Sequence, residues 1–389
     1  MSKGRIINKL KINSDKSKGQ MDFLLFLVII ILLCFGLVML ASASTYYSLS
    51  SYGTSSYFLK RQLVFAVIGI AAMIIISNID YRWYKKLSYI GFAIALLFMI
   101  AVLIPGIGQE RNGATRWLGV GTFTFQPSEF MKIAIVMATA TYLSLNYKKT
   151  GNIKGYVIPL AMLFIVIIIM YLQNHLSGTI IMIVATFSII FASGIKIKFK
   201  DVLILIMLFA VAGAAYFKIK VKSSDSSDNS SFRVQRIISF LNPEDDKKGG
   251  NWQAIQSLYA LGSGGIFGRG LGQSREKYSW LPEGQNDFIF SVLGEELGLV
   301  GTIIVLALFI FFIYRGYLVA LRCPDMYGSL IATGIMSVFS LQILVNIAVV
   351  TCSMPVTGMP LPFFSYGGTA LCINLCAMGI VLNISKNCK

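Results

Sequence analysis

Residues 23–43 read FLLFLVIIILLCFGLVMLASA and contain no charged side chain. A helix needs about 20 consecutive apolar residues to cross the hydrocarbon core of a bilayer. Ala41, Ser42 and Ala43 resemble a signal-peptidase site, but this apolar run is longer than the core of a cleaved signal peptide. The stretch therefore predicts a transmembrane helix that is retained.

The composition extends this conclusion to the whole chain. Of its 389 residues, 56% are hydrophobic and 13% are charged, and the mean hydropathy is +0.72. One soluble core could not bury so much apolar side chain, which predicts an all-α polytopic membrane protein. The net charge of +17 would suggest nucleic acid in a soluble protein. No basic face interleaved with base-stacking aromatic residues accompanies it, so no nucleic-acid partner is predicted.

Further apolar runs predict nine more spans and thus ten transmembrane helices. They lie at about residues 63–77, 87–104, 127–145, 156–171, 178–194, 202–217, 288–314, 327–350 and 367–384. Residues 1–20 are predicted to be a disordered cytoplasmic tail, and residues 21–389 a single ten-helix membrane domain. Residues 218–287 form one long extracytoplasmic loop between helices 7 and 8, for which we expect short amphipathic helices at about 232–241 and 252–261.

The distribution of charge gives the orientation. The segments assigned to the cytoplasm hold 19 Lys and Arg residues, whereas the four short outer segments hold four. Lys and Arg accumulate in short cytoplasmic loops, and long loops cross largely regardless of charge. Both termini are therefore predicted to lie in the cytoplasm, and the protein in the cytoplasmic membrane.

Ionisable groups at the predicted spans are candidates for function, because their burial in a membrane is costly. Glu129 and Lys132 are three residues apart, close enough to pair on one helix face. Asp287 stands at the outer edge of the eighth span, and Glu295 and Glu296 lie two turns inside it. Two structural alternatives stay open: Glu129 and Lys132 only neutralise each other, and Asp287 only caps the eighth helix.

A glycine-rich run, LGSGGIFGRGLG at residues 261–272, precedes the eighth span. It lacks GK[ST] and no alternating strand and helix pattern surrounds it, so it does not predict a nucleotide loop. Its glycines suit close backbone packing or approach to a ligand. Arg269, Arg275 and Lys277 nearby supply the charge that a phosphate group requires.

Several separated motifs resemble the SEDS family (shape, elongation, division and sporulation), whose members are FtsW, RodA and SpoVE. The resemblance covers about residues 21–387, and its 270–277 pattern is more similar to FtsW and SpoVE than to RodA. The motifs are Asn112-Gly113-Ala114 with Arg116-Trp117, Gln126-Pro127-Ser128-Glu129 with Lys132, Phe240-Leu241-Asn242-Pro243, Gln256-Ser257, Leu281-Pro282-Glu283, Asp287-Phe288-Ile289-Phe290, Gly294-Glu295-Glu296-Leu297-Gly298, Pro355-Val356-Thr357-Gly358, Pro360-Leu361-Pro362-Phe363 and Ser365-Tyr366-Gly367-Gly368.

Two places depart from the family pattern. Gln285-Asn286 stands where the family usually has His-Thr before the aspartate. The turn between the fifth and sixth spans, usually Gln-Pro-Asp-Leu-Gly-Thr, reads QNHLSGT over residues 173–179, without an acidic residue and one residue longer. The departure leaves the role of this turn, and of His175 within it, open.

The resemblance implies a peptidoglycan glycosyltransferase that polymerises lipid II into glycan strands at the outer face of the membrane. A sugar hydroxyl of one lipid-linked disaccharide attacks the anomeric carbon of another, with inversion, and displaces polyprenyl pyrophosphate. That leaving group needs no proton, so one general base suffices, and Asp287 is the candidate. The candidates for binding the substrate and its pyrophosphate, or for tuning the base, are Glu129, Lys132, Arg116, Trp117, Gln126, Arg275, Lys277 and Glu283. A divalent cation, Mg²⁺ or Mn²⁺, could bridge the phosphates.

Two other functions stay open, a lipid II flippase and a non-catalytic scaffold for division proteins. Transport by a flippase would survive neutralisation of Asp287, and partner binding by a scaffold would survive replacement of every polar site residue. The resemblance also implies a class B penicillin-binding transpeptidase and other divisome or sporulation membrane proteins as partners, at the division or sporulation septum.

Overall fold

The computed structural model describes residues 19–111, 114–120, 123–146, 154–173, 175–194, 252–278, 281 and 283–388. Within these ranges the chain is a helical bundle with one small sheet. Its helices are α1 Phe23–Tyr52, α2 Tyr57–Asn78, α3 Tyr84–Val102, α4 Pro127–Leu145, α5 Lys154–Leu172, α6 Leu176–Ala192, α7 Trp252–Ser263, α8 Ile289–Arg322, α9 Met326–Val350 and α10 Gly368–Ser385. Three antiparallel strands are added, β1 Gly108–Arg111, β2 Ala114–Val120 and β3 Phe123–Phe125.

The predicted fold class is confirmed. Nine of the ten predicted spans correspond to helices in the described part of the chain, and the seventh, at 202–217, lies outside the described residues. So do the predicted helix at 232–241 and the tail up to residue 18. The amphipathic helix expected at 252–261 is present as α7. Of the described helices, seven are long and apolar enough to cross a membrane.

Helix α4 is more polar than the other spans because protein surrounds it. It packs against α3, α5, α6 and α9, and most of its residues are buried, including Ser128, Glu129, Lys132, Thr139 and Thr141. Lipid-exposed positions carry the apolar side chains instead, as on α2, where Val64, Val67 and Ile75 are exposed. The polar site is therefore held inside the bundle, away from acyl chains.

Contacts at the two ends of the bundle agree with the predicted alternation of the spans, whichever end faces the cytoplasm. At the inner end Arg315 lies 2.6 Å from Asp22, and Asn383 Nδ2 donates to the carbonyl of Ser77 at 2.7 Å. At the outer end Gln62 Nε2 donates to the carbonyl of Ser365 at 3.3 Å. Each bond joins segments assigned to the same side of the membrane.

The outer segments are more ordered than the sequence suggested. Helix α1 continues to Tyr52 and α2 begins at Tyr57, so most of the predicted loop at 44–62 is helical. Thirty residues of helix span about 45 Å, against about 30 Å of hydrocarbon. The predicted loop at 107–126 contains β1, β2 and β3, and this sheet contacts α3, α4 and α10.

Helix α8 is broken near its outer end, and this corrects the prediction of a continuous eighth span. Gly298 has φ 66° and ψ −165°, so residues before it form a short separate segment. Glu295 and Glu296 belong to that segment rather than to a straight membrane helix. A break inside a membrane helix frees backbone groups that must find other partners.

The glycine-rich run supplies those partners. The amides of Arg269 and Gly270 donate to the carbonyls of Glu295 and Glu296, at 3.0 and 2.9 Å. The amides of Leu299 and Val300 donate to the carbonyls of residues 265 and 266, at 2.9 and 3.1 Å. Side chains would prevent this approach, because a Cβ at Gly268 or Gly298 would overlap the opposing backbone. The glycines thus serve close packing of backbone on backbone.

Candidate functional site

The turn that carries Asp287 is held in place from two sides. Asn346 on α9 donates through Nδ2 to the carbonyl of Asp287 at 2.8 Å and to that of Met359 at 2.7 Å. Ser365 Oγ donates to the carbonyl of Asn286 at 2.6 Å. The N-cap of α8 is Phe288, with no capping side chain. The alternative in which Asp287 only caps the helix stays open, and substitution of Asp287 tests it.

Glu283 shapes the same turn. Its backbone has φ 61°, a left-handed conformation that is uncommon for a residue other than glycine. Its carbonyl accepts hydrogen bonds from the amides of Asn286 and Phe288, and its carboxylate accepts one from Asn286 Nδ2. Strained backbone of this kind persists when surrounding contacts enforce it. Glu283 thus contributes to the position of the segment leading to Asp287.

A small cavity lies on one side of this turn. It is lined by Gln126, Ser128, Glu129, Lys132, His175, Gly178, Ile181, Gly358, Met359 and Pro360. Its volume is about 20 Å³, which is room for one water molecule. A Cβ added to Gly358 would lie 3.6 Å from Asp287 Oδ2. Gly358 therefore lies next to the carboxylate of Asp287 and also lines the cavity.

Glu129 and Lys132 form the predicted ion pair. Lys132 Nζ lies 2.8 Å from Glu129 Oε1, and only 4% and 6% of the two side chains are exposed. The pair results from their three-residue spacing at the start of α4, where an acidic side chain also faces the positive end of the helix dipole. The structure thereby places a buried cation in the cavity wall, already balanced by a carboxylate.

Arg116 and Trp117 lie on β2 and are partly buried, and Gln126 immediately precedes α4. The sheet brings Arg116 close enough to the cavity that its charge acts on His175. Burial, followed by the charges of Arg116 and Lys132, lowers the pKa of His175 to about 3. Positive charge therefore converges on this cavity from both β2 and α4.

His175 is the cavity residue that the sequence left without a role. It precedes α6, is 7% exposed, and lies beside Gly178. The sequence feature that could have pointed to His175 is the unusual turn at residues 173–179, which is one of the two places where this chain departs from the family pattern. Asn346 and Met359 carried no functional signal in the sequence: the Asn346 side chain binds backbone carbonyls, and Met359 contributes to the cavity wall.

Lys277 belongs to a second polar cluster, formed with the short segment of α8. Its Nζ lies 2.9 Å from Glu296 Oε1 and 3.0 Å from Ser42 Oγ. Glu295 accepts hydrogen bonds from Ser274 Oγ at 2.5 Å and from the amide of Arg275 at 2.8 Å. Lys277 is buried, whereas Arg275 is exposed. The structure thus brings neither cation into the cavity wall.

Within the described residues, no group of three or more His, Cys, Asp and Glu side chains could hold a metal ion. Magnesium in phosphoryl sites is commonly held by one or two carboxylates together with substrate phosphates. A divalent cation here would therefore depend chiefly on the phosphates of the substrate, together with one or two carboxylates.

These features define a polytopic membrane protein with a polar site at one end of its helix bundle, built from a carboxylate beside a cation-lined cavity. The profile of the FtsW, RodA and SpoVE family, described as "Cell cycle protein", matches residues 22–389. The chain belongs to this family.

Relatives and solved structures agree over nearly the whole length. The chain is 42% identical over 370 residues to "Stage V sporulation protein E" of Bacillus subtilis, covering 95% of this chain and 98% of that protein. It is 37% identical over 375 residues to "Probable peptidoglycan glycosyltransferase FtsW" of Trichlorobacter lovleyi, covering 95% and 94%. Among solved structures, it matches a chain from "Structural coordination of polymerization and crosslinking by a peptidoglycan synthase complex" at TM-score 0.73 and 26% identity, covering 94% and 97%. Thermus thermophilus "Rod shape determining protein RodA" matches at TM-score 0.67 and 26% identity, covering 94% and 96%.

Proposed function

We propose that this chain is a peptidoglycan glycosyltransferase that polymerises lipid II at the outer face of the cytoplasmic membrane, with Asp287 as the general base. One observation carries the assignment of the base: Asp287 is anchored at the outer ends of the helices beside a cavity lined by Lys132. Relatives named as peptidoglycan glycosyltransferases support the reaction.

The reaction requires one proton to be removed and two negative phosphates to be stabilised. As a sugar hydroxyl attacks the anomeric carbon, the Asp287 carboxylate takes its proton, and the bond from that carbon to the pyrophosphate oxygen breaks with inversion. The electron pair leaves on the pyrophosphate, which needs positive charge rather than a proton. The bonds to the Asp287 and Asn286 carbonyls fix the base before substrate binds, which favours catalysis.

Lys132 and Arg116 are the proposed cations for the pyrophosphate. Lys132 is paired with Glu129 at 2.8 Å, so a phosphate oxygen would compete with an existing carboxylate for the ammonium group. The same pair could instead set the electrostatic potential at Asp287. Gln126 in the cavity wall and Trp117 on β2 are the proposed neutral contacts to substrate, and Glu283 positions the turn.

Arg275 and Lys277 receive less support as pyrophosphate ligands. Lys277 is bound to Glu296 and Ser42, and releasing it would leave a buried carboxylate unpaired. Arg275 is exposed and could meet a phosphate outside the cavity. We assign Lys277 to holding the loop and retain Arg275 as a peripheral candidate.

The chain is an integral membrane protein, and its structural neighbour comes from a peptidoglycan synthase complex. We propose that a class B penicillin-binding transpeptidase is its partner, along with other divisome or sporulation membrane proteins, at the division or sporulation septum. The relative named for stage V sporulation and those named FtsW support these two settings.

The test is polymerisation of labelled lipid II by the purified protein together with its cognate transpeptidase. Asp287→Asn and Asp287→Ala should both abolish glycan chains while the complex stays folded and assembled. Asp80→Asn, the same change at the inner end, is the control and should retain activity. If both Asp287 variants polymerise lipid II at the wild-type rate, the assignment of Asp287 as the general base is overturned. If the wild-type complex makes no chains but moves lipid II across vesicles, the flippase is the better assignment, and binding of partners alone would indicate a scaffold.

A further inference from the structure

The cavity wall contains three buried polar atoms without a hydrogen-bond partner among the described residues. They are Ser128 Oγ, Glu129 Oε2 and His175 Nδ1. All three residues line the same cavity, and each is less than 9% exposed. A buried polar atom without a partner costs about 1–3 kcal/mol. Three in one wall indicate a ligand that satisfies them together.

The polar groups of the cavity wall indicate which kind of ligand fits there. Glu129 Oε2 is only an acceptor when the carboxylate is ionised, as its pairing with Lys132 requires. A phosphate oxygen would be repelled by this carboxylate, and a metal cation would be opposed by Lys132 and Arg116. A water molecule can donate to two acceptors while it accepts from a hydroxyl and an ammonium group. The volume of about 20 Å³ also admits one water molecule.

We propose that this cavity binds one ordered water molecule, which donates hydrogen bonds to Glu129 Oε2 and His175 Nδ1 and accepts one from Ser128 Oγ. His175 is then a positioning residue. It acts through the water on Glu129, and through Glu129 on Lys132. The inference rests on the proposed function in one respect, that Lys132 serves the pyrophosphate.

The protonation state of His175 is consistent with this arrangement. The charged groups facing it are Arg116 from β2 and Glu129 and Lys132 from α4. The charged residue of α5, Lys154, begins that helix at the end opposite His175, and α6 and residues 355–360 contain no charged residue. Burial together with the two cations lowers the pKa of His175 to about 3. The imidazole is therefore neutral near pH 7, and Nδ1 can accept a hydrogen bond while Nε2 carries the proton.

The chain contains a single histidine, so its imidazole can be observed without assignment. In protein labelled with ¹⁵N-histidine and held in nanodiscs, we expect a neutral imidazole with unprotonated Nδ1 that does not titrate between pH 5 and 8. Ser128→Ala should shift this signal, because it removes one partner of the water; Ser144→Ala, on the same helix with Oγ bonded to the Thr141 carbonyl, should not. A protonated Nδ1, a titration near 6.5, or no response to Ser128→Ala would overturn the proposal. This readout does not depend on turnover.

Kinetics test the effect on Lys132. His175→Leu fills the site without a polar atom and should raise the KM for lipid II about tenfold, the loss expected for one buried hydrogen bond. His175→Gln retains an acceptor and should recover most of that loss, with both variants folded. Equal KM values in the two variants would show that His175 acts by shape alone. If the NMR result stands but the wild type does not polymerise lipid II, the proposed function fails and the water site remains.

Discussion

At the scale of single residues, the site depends on charges that are buried only because they are paired. Removing one partner of a buried ion pair costs about 3–5 kcal/mol, since the other charge is left unsatisfied, whereas removing both can be nearly neutral. Glu129 and Lys132 meet this description, with 6% and 4% exposure. Stability and activity should therefore respond differently to single and double substitutions.

We expect Lys132→Met to lower the free energy of unfolding by about 3 kcal/mol and to abolish polymerisation. The double variant Glu129→Gln, Lys132→Met should recover most of the stability and none of the activity. Thermal unfolding in detergent and lipid II polymerisation measure the two quantities. Recovery of activity in the double variant would show that the lysine is only neutralised there, which is the structural alternative raised by the sequence.

His175 predicts a pH dependence of stability. Its pKa is about 3 in the folded protein and about 6.5 when unfolded, so protonation favours the unfolded chain. The stabilising contribution is complete above pH 6.5 and is lost as the pH falls toward 3. Between pH 7 and pH 5 the free energy of unfolding of the wild type should fall by about 2 kcal/mol more than that of His175→Gln. If unfolding in detergent shows that both proteins lose the same free energy of unfolding over this range, the low pKa of His175 is contradicted.

At the scale of elements, the broken helix α8 and the glycine-rich run depend on one another. The break at Gly298 is possible because the run satisfies the freed amides and carbonyls, and the run is ordered because α8 provides that edge. Glu295 and Glu296 add side-chain bonds to Ser274 and Lys277. The outer loop is in this way attached to the segment that begins immediately after Asp287.

Gly298→Ala should disrupt this junction, because φ 66° is strained for alanine and its Cβ would overlap Gly268 N. We expect destabilisation of about 2–4 kcal/mol and faster proteolysis within residues 264–278. Gly262→Ala is the matched control, since a Cβ there meets nothing within 4 Å, and it should be neutral or slightly stabilising. Equal protease sensitivity in both variants would argue against the coupling.

At the scale of the whole molecule, the predicted orientation in the membrane places the site outside the cell. The inner contacts of Asp22, Arg315 and Asn383 and the outer contacts of Gln62 and Ser365 are consistent with one topology. Lipid-linked sugars and their pyrophosphates are presented at the membrane surface. The proposed reaction therefore requires Asp287 to be on the outer face.

Labelling with a membrane-impermeant maleimide tests the orientation in a variant without native cysteines. Ser51→Cys, at the exposed outer end of α1, should react in intact cells. Lys86→Cys, exposed near the start of α3 on the inner side, should react only after permeabilisation. The opposite pattern would invert the topology and place Asp287 in the cytoplasm.

The sequence by itself determined the membrane class and most of the spans and predicted the orientation, because apolar length and Lys/Arg distribution are local properties. It also indicated Glu129, Lys132 and Asp287, since an ionisable group near a span is conspicuous. Only the tertiary structure decided that Lys277 joins Glu296, that Gly298 breaks α8, and that His175 enters the cavity with Lys132. These results depend on contacts between segments distant in the chain, where the partner of a charge or of a freed backbone group is chosen by packing and not by spacing.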